Sequence, residues 1–332
     1  MAIKLLKAGP FSSIQDLGRL DYLSFGVPKA GAMDTLSVRI ANEALRNAAQ
    51  AAVIELTYAQ AEIEILSDML LAYAGQGAVL ANGKIPLPAN RPLALVKGTR
   101  LKLIPDGMGC RTYLATTGGW DVPIAMGSRS TYLQAKIGGI NGRLLQNGDI
   151  LCATAWTTEH QSFFTQLQQS NRSFPLWYIG SGRNLTTPDI PVIRVVRGPE
   201  ADWFSTESWH KFLSSAFEVD RNSNRMGYIL EGHDIQRINK AELLSTAVLP
   251  GTIQIPGNGR PVLLMADCQT TGGYPRIAQV AAIDLPLCGQ LKPGDQIYFQ
   301  EISTKEAEVL YLDEQYYFQK IRRAIDLRYY TK

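Results

Sequence analysis

The residues best suited to chemistry lie between Asp267 and Arg276, in the stretch Asp-Cys-Gln-Thr-Thr-Gly-Gly-Tyr-Pro-Arg. A carboxylate, an amide, two hydroxyls and two glycines directly follow an apolar run that is typical of a buried strand. Glycine can adopt a positive φ or approach a ligand closely, and backbone N–H groups with a nearby arginine can hold an anion. A planar polar substrate such as an amide, a ureido group or a carboxylate would suit these groups. A polar hairpin whose side chains satisfy only their own turn is the alternative.

A second polar group lies near the N-terminus. Gln15, Asp16 and Arg19 stand among turn-forming residues, and a Gly- and Pro-rich segment then leads to Asp34. The three side chains are chemically complementary, so they predict either a binding site or a loop bonded to itself. Asp34 precedes a helical pattern from Thr35 to about Asn47, which makes helix capping its alternative role. Arg225, in a polar loop, is either an anion contact or a surface turn residue.

Composition gives no support to several classes of function. A net charge of +3 is too close to neutral to argue for nucleic-acid or membrane binding, and we predict neither partner. The four cysteines and three histidines have no metal-binding spacing, so we predict no metal site. The sequence shows neither a signal peptide nor an apolar run long enough to cross a bilayer. These features predict a cytoplasmic protein.

The elements that must position these residues are mostly short strands. Closely spaced turn signals predict a mainly β chain with a few helices, in barrel- or sandwich-type modules. We predict an N-terminal β-rich module over residues 1–180, with a helix near 34–47, and a C-terminal β-barrel module over 190–302. A polar connection over 157–191 joins them. Residues 303–332 form a helical tail, whose apolar face would pack on the body or on another subunit; that face comprises Val309, Leu312, Tyr316, Phe318, Ile321 and Ile325.

Two short sequences occur twice. Thr-Thr-Gly-Gly stands at 116–119 and 270–273, and each copy is followed by Leu-x-x-Gly-Asp, at 145–149 and 291–295. This recurrence suggests two related β-rich modules, although short glycine motifs also recur by chance.

The motifs together resemble the biotin-dependent carboxyltransferase family, which includes the C subunits of 5-oxoprolinase (KipA-like) and the allophanate-hydrolase-subunit-2 region of urea amidolyase. The resemblance runs from about residue 3 to 300. Two positions depart from the family pattern: Cys268 stands where glycine is usual, and Ile229 where an arginine is common. The resemblance rests on the segments 9–19 (GPFSSIQDLGR), 26–34 (GVPKAGAMD), 127–131 (GSRST), 224–228 (NRMGY) and 267–276 (DCQTTGGYPR).

This resemblance implies cyclophilin-like β-barrel modules and a KipI-like B subunit as partner, with an active site near their junction. In the bacterial proteins, the B and C subunits work with a third subunit to open 5-oxoproline to glutamate at the expense of ATP. In urea amidolyase the corresponding region passes carboxyl from carboxybiotin to urea. The chain has neither a phosphate-binding loop sequence nor a biotin-attachment sequence, so ATP or biotin would involve another chain.

We therefore predict the C subunit of an ATP-dependent 5-oxoprolinase, inactive alone. The alternatives are a carboxyltransferase subunit acting on urea or a related amide, and a regulatory protein that binds a KipI-like kinase inhibitor. Asp16, Asp267 and Gln269 are the predicted catalytic residues, and both polar groups are expected to face one cleft. The predicted substrate-binding residues are Gln15, Arg19, Asp34, Arg225, Thr270, Thr271, Gly272, Gly273, Tyr274 and Arg276.

Overall fold

Two compact units divide the chain. The structure is a computed structural model that describes residues 1–106, 108–180 and 190–330. Unit 1 comprises Met1–Gly18, Asp34–Arg183 and Tyr316–Lys332, and unit 2 comprises Arg19–Met33 and Asn184–Gln315. Residues 181–189 of the predicted connection lie outside the described part of the chain.

Unit 1 contains two antiparallel sheets, in the orders β11-β1-β4-β9-β6-β7 and β2-β3-β10-β5-β8. Alternation in the sequence Glu-Ile-Glu-Ile gives β4 one buried and one half-exposed face, whereas every residue of β3 and β10 is buried. The strands are β1 (Ala2–Lys7), β2 (Phe11–Gln15), β3 (Val53–Thr57), β4 (Glu62–Ile65), β5 (Met69–Gly75), β6 (Ala78–Asn82), β7 (Ile85–Pro86), β8 (Leu93–Leu95), β9 (Arg100–Pro105), β10 (Arg111–Thr116) and β11 (Ile150–Cys152).

Helix α1 (Thr35–Ala44) begins where the sequence predicts and ends three residues earlier than the predicted Asn47. Arg46 adopts a φ of 56°, which α-helical backbone does not allow, and this ends the helix. The Asn47 side chain then bonds Asn42 and the Thr116 carbonyl. A second helix, α2 (Thr158–Gln169), lies in the segment predicted as a connection, capped by Thr157.

Unit 2 contains a closed seven-stranded barrel in the order β12-β19-β16-β17-β14-β13-β20, completed by a parallel pairing of β20 with β12. A separate two-stranded ribbon joins β15 to β18. The unit's strands and helices are β12 (Val192–Arg197), α3 (Thr206–Ser214), β13 (Phe217–Val219), β14 (Gly227–Glu231), β15 (Thr246–Ala247), β16 (Thr252–Gln254), β17 (Val262–Leu264), β18 (Thr271–Gly272), β19 (Arg276–Val280), α4 (Leu285–Cys288) and β20 (Gln296–Glu301).

The chain ends in a long helix, α5 (Thr304–Tyr330). The six apolar residues predicted to share one face of this helix do not share it. Phe318 and Ile325 are buried in unit 1, whereas Val309, Leu312 and Tyr316 are at least half exposed. At 3.6 residues per turn, positions 318 and 325 lie almost opposite positions 309 and 316.

The prediction of a mainly β chain with a few helices is confirmed. Among the helices that the structure describes, none is long and apolar enough to cross a membrane. Within the same residues, no cluster of three or more His, Cys, Asp or Glu side chains could hold a metal ion.

Candidate functional site

Asp16 lies in unit 1 at the end of β2, in a cage of hydrogen-bond donors. Its Oδ1 accepts from the hydroxyls of Ser128 and Ser130, each at 2.6 Å, and from the Gly18 N–H at 2.8 Å. Its Oδ2 accepts from the Arg129 N–H at 2.6 Å. The carboxylate is buried, and four donors occupy it. Its direct effect is therefore to fasten the end of β2 to the segment at 128–130.

Gln15 is buried beside this cage. Its Nε2 donates to the Ser13 hydroxyl at 2.9 Å and to the Thr131 carbonyl at 3.2 Å. Within the described residues, neither the Gln15 Oε1 nor the Thr131 Oγ1 has a hydrogen-bond partner. Buried polar atoms are normally paired, so these two oxygens are exceptions to the usual pattern.

In unit 2, Arg225 and Asp267 form a bidentate ion pair. The Arg225 Nε lies 2.9 Å from one carboxylate oxygen of Asp267, and its Nη2 lies 3.0 Å from the other. The backbones also pair, since the Asp267 N–H donates to the Arg225 carbonyl at 2.9 Å. Arg225 Nη2 further donates to the Gly31 carbonyl. Three segments distant in the sequence thus meet around one guanidinium.

Arg19 and Lys29 belong to the same loop of unit 2. The Arg19 N–H donates to the Lys29 carbonyl at 2.8 Å, and the Arg19 side chain is buried. Burial lowers the pKa of the Lys29 amine, against an opposing effect of the Cys268 thiol. Burial, aided by the Asp267 carboxylate, raises the pKa of the Cys268 thiol to about 12. Cys268 therefore stays protonated, and it packs in a small apolar cluster with Val248 and Leu264.

The Thr-Thr-Gly-Gly-Tyr part of the stretch forms one edge of the two-stranded ribbon. Thr271 and Gly272 pair with β15, and the Val248 N–H donates to the Thr270 carbonyl at 3.0 Å. The glycines were expected to allow a positive φ or a close ligand approach, but neither Gly272 nor Gly273 has a positive φ. Close packing explains Gly272 instead, because a Cβ there would lie 2.6 Å from the Gln254 amide nitrogen.

Side chains along this edge are accessible to different degrees. Gln269 and Thr270 are half-buried, whereas Thr271 and Tyr274 are exposed. Ligands that approach the edge therefore meet an amide, two hydroxyls and a phenol within six positions of the chain. This set can accept and donate hydrogen bonds to a planar polar group.

Arg276, predicted to hold an anion, pairs with Glu200. Its Nε and Nη2 lie 2.7 and 2.6 Å from the two Glu200 carboxylate oxygens, and its Nη1 donates to the Ala247 carbonyl at 3.0 Å. The hydrogen bonds from Arg276 lower the pKa of Glu200. The guanidinium thus already holds an anion that the protein itself supplies.

Asp34 caps α1, the alternative role that the sequence suggests for it. Its carboxylate accepts from the Ser37 N–H at 2.9 Å and from the Ser37 hydroxyl at 2.6 Å. Its own N–H donates to the buried Tyr113 hydroxyl at 2.8 Å.

A buried charged network on β3 and β10 was not predicted from the sequence. Tyr113 donates to Glu55 at 2.9 Å, and Arg111 lies 3.9 Å from the same carboxylate. Burial, reinforced by Glu55 and Asp34, raises the pKa of Tyr113 well above its usual value. The signal was present, because Glu55 interrupts an apolar strand and its cross-strand partner carries the hydroxyl.

Asp16 and Gln15 meet the 128–131 segment in unit 1, and Arg225 meets Asp267 and Gly31 in unit 2. That the two groups face one cleft stays a prediction.

Comparisons with known proteins agree with these motifs. The chain is 37% identical over 330 residues to the C subunit of 5-oxoprolinase from Escherichia coli, covering 96% of this chain and 97% of the relative. It is 32% identical to the urea amidolyase of Lachancea kluyveri, covering 93% of this chain but 17% of that protein. The crystal structure of Kluyveromyces lactis urea carboxylase matches with a TM-score of 0.85 at 28% identity, over 96% of this chain and 29% of that one.

The family comparison spans most of the chain. The sequence model described as "Carboxyltransferase domain, subdomain A and B" matches residues 25–301, a range that holds the Arg225–Asp267 pair and the ribbon. This chain therefore belongs to the carboxyltransferase domain family, subdomain A and B.

Proposed function

We propose that this chain is the C subunit of a 5-oxoprolinase, which opens the ring amide of 5-oxoproline to give glutamate. The observation that carries the proposal is the identity of 37% to the E. coli C subunit over 97% of that protein's length. A second such subunit, from Haemophilus influenzae, is 34% identical over 99% of its length. Matches of this extent favour the same role more than a shared fold alone would.

The reaction would take place in a complex. We propose that a KipI-like B subunit and a third subunit complete it, and that ATP is bound at the level of the complex. Hydrolysis breaks the ring C–N bond, with water supplying OH to the carbonyl carbon and a proton to the nitrogen. ATP hydrolysis to ADP and phosphate would drive this ring opening. The protein is expected to be cytoplasmic.

The residues have different proposed parts. Gln269, Thr270 and Thr271 would orient the planar amide, because their amide and hydroxyl groups are the accessible ones on the ribbon edge. Asp267 would assist proton transfer, with Arg225 holding its carboxylate in one orientation. Arg19 would hold a carboxylate or a phosphorylated intermediate. For Asp16 the four donors favour a positioning role.

The first experiment measures ATP turnover by the natively co-purified complex, with 5-oxoproline or urea added. We expect stimulation by 5-oxoproline that survives avidin, with glutamate formed in step with ADP. Stimulation by urea that avidin abolishes would overturn the proposal. Silence with both substrates, despite a stable partner, would favour a regulatory role toward a KipI-like inhibitor.

Substitution tests the residues. Gln269→Ala should reduce kcat/KM of the assembled complex by about tenfold or more, because it removes an amide proposed to orient the substrate. The matched control is Gln168→Ala on the exposed surface of α2, which should leave turnover unchanged. Full activity of Gln269→Ala in a complex of normal composition would remove this residue from the site.

A carboxyltransferase acting on urea or a related amide is the second candidate. The family description and the structural match to urea carboxylase favour it. Carboxybiotin would then be the carboxyl donor, carried by another chain or domain. The avidin arm of the first experiment separates this candidate from the oxoprolinase.

We also propose that the two units are related cyclophilin-like modules. The closed barrel of unit 2 supports this, as do the two antiparallel sheets of unit 1. An experimental structure of unit 1 would test this. Both sheets joined in one barrel would support the proposal, and two separate sheets would overturn it.

A further inference from the structure

Helix α5 carries an exposed face along its length. Positions 309, 312, 316, 320, 323 and 327 follow one another in steps of three and four residues, so they share one side of the helix. Four of them are apolar or aromatic, and all six are exposed. The exposed fraction is 50% for Val309, 56% for Leu312, 58% for Tyr316 and 71% for Leu327. The opposite side is the one buried in unit 1, through Phe318, Ile325 and Tyr329.

Charge is distributed unevenly along the same helix. Residues 304–315 contain four acidic side chains and one basic, whereas residues 316–330 contain four basic side chains and one acidic. Some of these charges are already paired, such as Arg322 with Glu43 and Asp326 with Arg46. Arg323 lies on the exposed face and Asp313 borders it, and within the described residues neither forms a salt bridge. The first half of the helix is therefore acidic, with Asp313 beside the exposed face, and the second half is basic, with Lys320 and Arg323 on the face.

We infer that this face binds the same face of a second copy of the chain, in an antiparallel helix pair. An isologous pair requires a surface that complements itself under a two-fold rotation. An apolar strip with an acidic residue beside its first half and basic residues in its second half meets this requirement when the helices run antiparallel. A parallel pair would instead place acidic residues against acidic residues and basic against basic.

The register follows from the sequence. With the two-fold axis at the level of residue 318, Asp313 of each helix lies opposite Arg323 of the other, which forms two salt bridges. Val309 then faces Leu327, and Tyr316 faces Lys320 of the second copy. Within one chain, the Lys320 amine already lies 4.2 Å from the centre of the Tyr316 ring, so this pair can also form between copies.

A second copy fits this face better than a different protein does. The charges of α5 change sign about the middle of the helix, so a second copy in antiparallel orientation presents the complementary charges. An unrelated partner would complement this pattern only if its own surface carried the same arrangement. The helix has 27 residues, hence a length of about 40 Å, and one helix pair of that length gives a small interface. We therefore expect a concentration-dependent dimer. This inference does not depend on the proposed function.

The test is sedimentation velocity on the full chain over a range of protein concentrations at low ionic strength. The wild-type mass should rise from that of the 36.6 kDa monomer toward that of the dimer. Asp313→Arg and Arg323→Asp should each raise the dimer dissociation constant about tenfold or more, because each creates two like-charge contacts. The double variant restores opposite charges and should return the constant to within about threefold of wild type.

Lys84→Asp is the matched control. It changes net charge as Arg323→Asp does, at an exposed hairpin turn outside α5, and should leave the constant unchanged. Circular dichroism spectra and melting temperatures establish that each variant folds. A monomer at every concentration would overturn the inference, as would a double variant no stronger than the single ones. A third outcome would also overturn it: the wild-type chain is monomeric, and the single variants no longer co-purify with another subunit. The face would then bind that subunit rather than a second copy.

Discussion

The tetrapeptide Thr-Thr-Gly-Gly has a different structure in each unit. In unit 1 it ends strand β10 and turns, with Gly118 and Gly119 at φ values of 71° and 84°. Asn47 supports this turn by accepting from the Gly118 N–H at 2.7 Å and donating to the Thr116 carbonyl at 2.7 Å. In unit 2 the same four residues form a ribbon edge without a positive φ.

The second repeated sequence, Leu-x-x-Gly-Asp, has one structure in both units. The Gln146 N–H donates to the Asp149 carboxylate at 2.8 Å, and the Lys292 N–H donates to Asp295 at 2.9 Å. The central glycines have φ values of 91° and 89°. Each turn also exchanges two backbone hydrogen bonds with a neighbouring strand, through Leu5 in one unit and Val219 in the other.

The difference shows which sequences determine their own structure. The Leu-x-x-Gly-Asp turn contains its own acceptor, because the aspartate side chain bonds the backbone three residues earlier. Thr-Thr-Gly-Gly contains no such group, so neighbouring residues decide its conformation. In unit 1 that neighbour is a buried asparagine, and in unit 2 it is the strand at 246–247. The repeated turn is thus the stronger support for related modules.

The largest effect is expected from a Cβ on the first copy. Gly118→Ala should lower the free energy of unfolding by about 2–3 kcal/mol, because position 118 has a positive φ and the Cβ would clash with the Thr154 hydroxyl. Gly273→Ala, at a glycine of the other copy that has no positive φ, should cost less than about 1 kcal/mol. Denaturant unfolding monitored by tryptophan fluorescence measures both. Equal losses would show that the two copies share one conformation after all.

A smaller loss is expected from the residue that imposes the turn. Asn47→Ala removes the acceptor of the Gly118 N–H, the donor to the Asn42 side chain and one of the two donors to the Thr116 carbonyl, which keeps the Gly119 N–H, so we expect a loss of about 2 kcal/mol. Asn47→Asp keeps the acceptor but turns a buried carboxylate oxygen toward the Thr116 carbonyl and the Asn42 side-chain oxygen, so it should cost at least as much as alanine. Unfolding by urea measures both variants. An Asn47→Ala protein as stable as wild type would assign the turn to its glycines alone.

Much of the fold could be predicted because it depends on local pattern. Period-two alternation marks β4, a capping aspartate marks the start of α1, and turn residues separate the strands. The end of α1 could not be predicted, since it is set by the positive φ of Arg46, after which Asn47 bonds Thr116 in a distant strand. The prediction for the faces of α5 was wrong because apolar residues lie on both of its sides.

The candidate site was less predictable, because its contacts join distant segments. The sequence identifies Asp267 and Arg225 as polar residues in loops, but their pairing depends on the barrel that brings positions 225 and 267 together. From the sequence Arg276 is expected to offer its charge to a ligand, whereas the fold places Glu200 against it. Asp16 is similar, since its donors come mainly from residues 128–130.

The two Leu-x-x-Gly-Asp turns differ in one contact, which predicts unequal losses. Asp149 also receives a bidentate pair from Arg143 at 2.8 and 2.9 Å, whereas Asp295 has a single lysine contact at 3.3 Å. Asp149→Asn should therefore cost about 1 kcal/mol and Asp295→Asn about 0.5 kcal/mol. Urea unfolding of both variants checks this. A larger loss at Asp295 would contradict the assignment of the difference to Arg143.

The smallest effect concerns how the Asp149 turn responds to pH. The hydrogen bonds from Arg143, followed by the Gln146 N–H, lower the pKa of Asp149 below its ordinary value of 3.8. A carboxylate with a lowered folded pKa contributes stability that is present above its unfolded pKa and is lost as the pH falls through the folded pKa. The stability difference between wild type and Asp149→Asn should thus be constant above about pH 5 and shrink below about pH 3.8.

In an Arg143→Gln background the largest cause of the shift is gone, so this pH dependence should nearly vanish. If it persisted there unchanged, the backbone of the turn rather than the guanidinium would hold the carboxylate, and the two units would share this feature too.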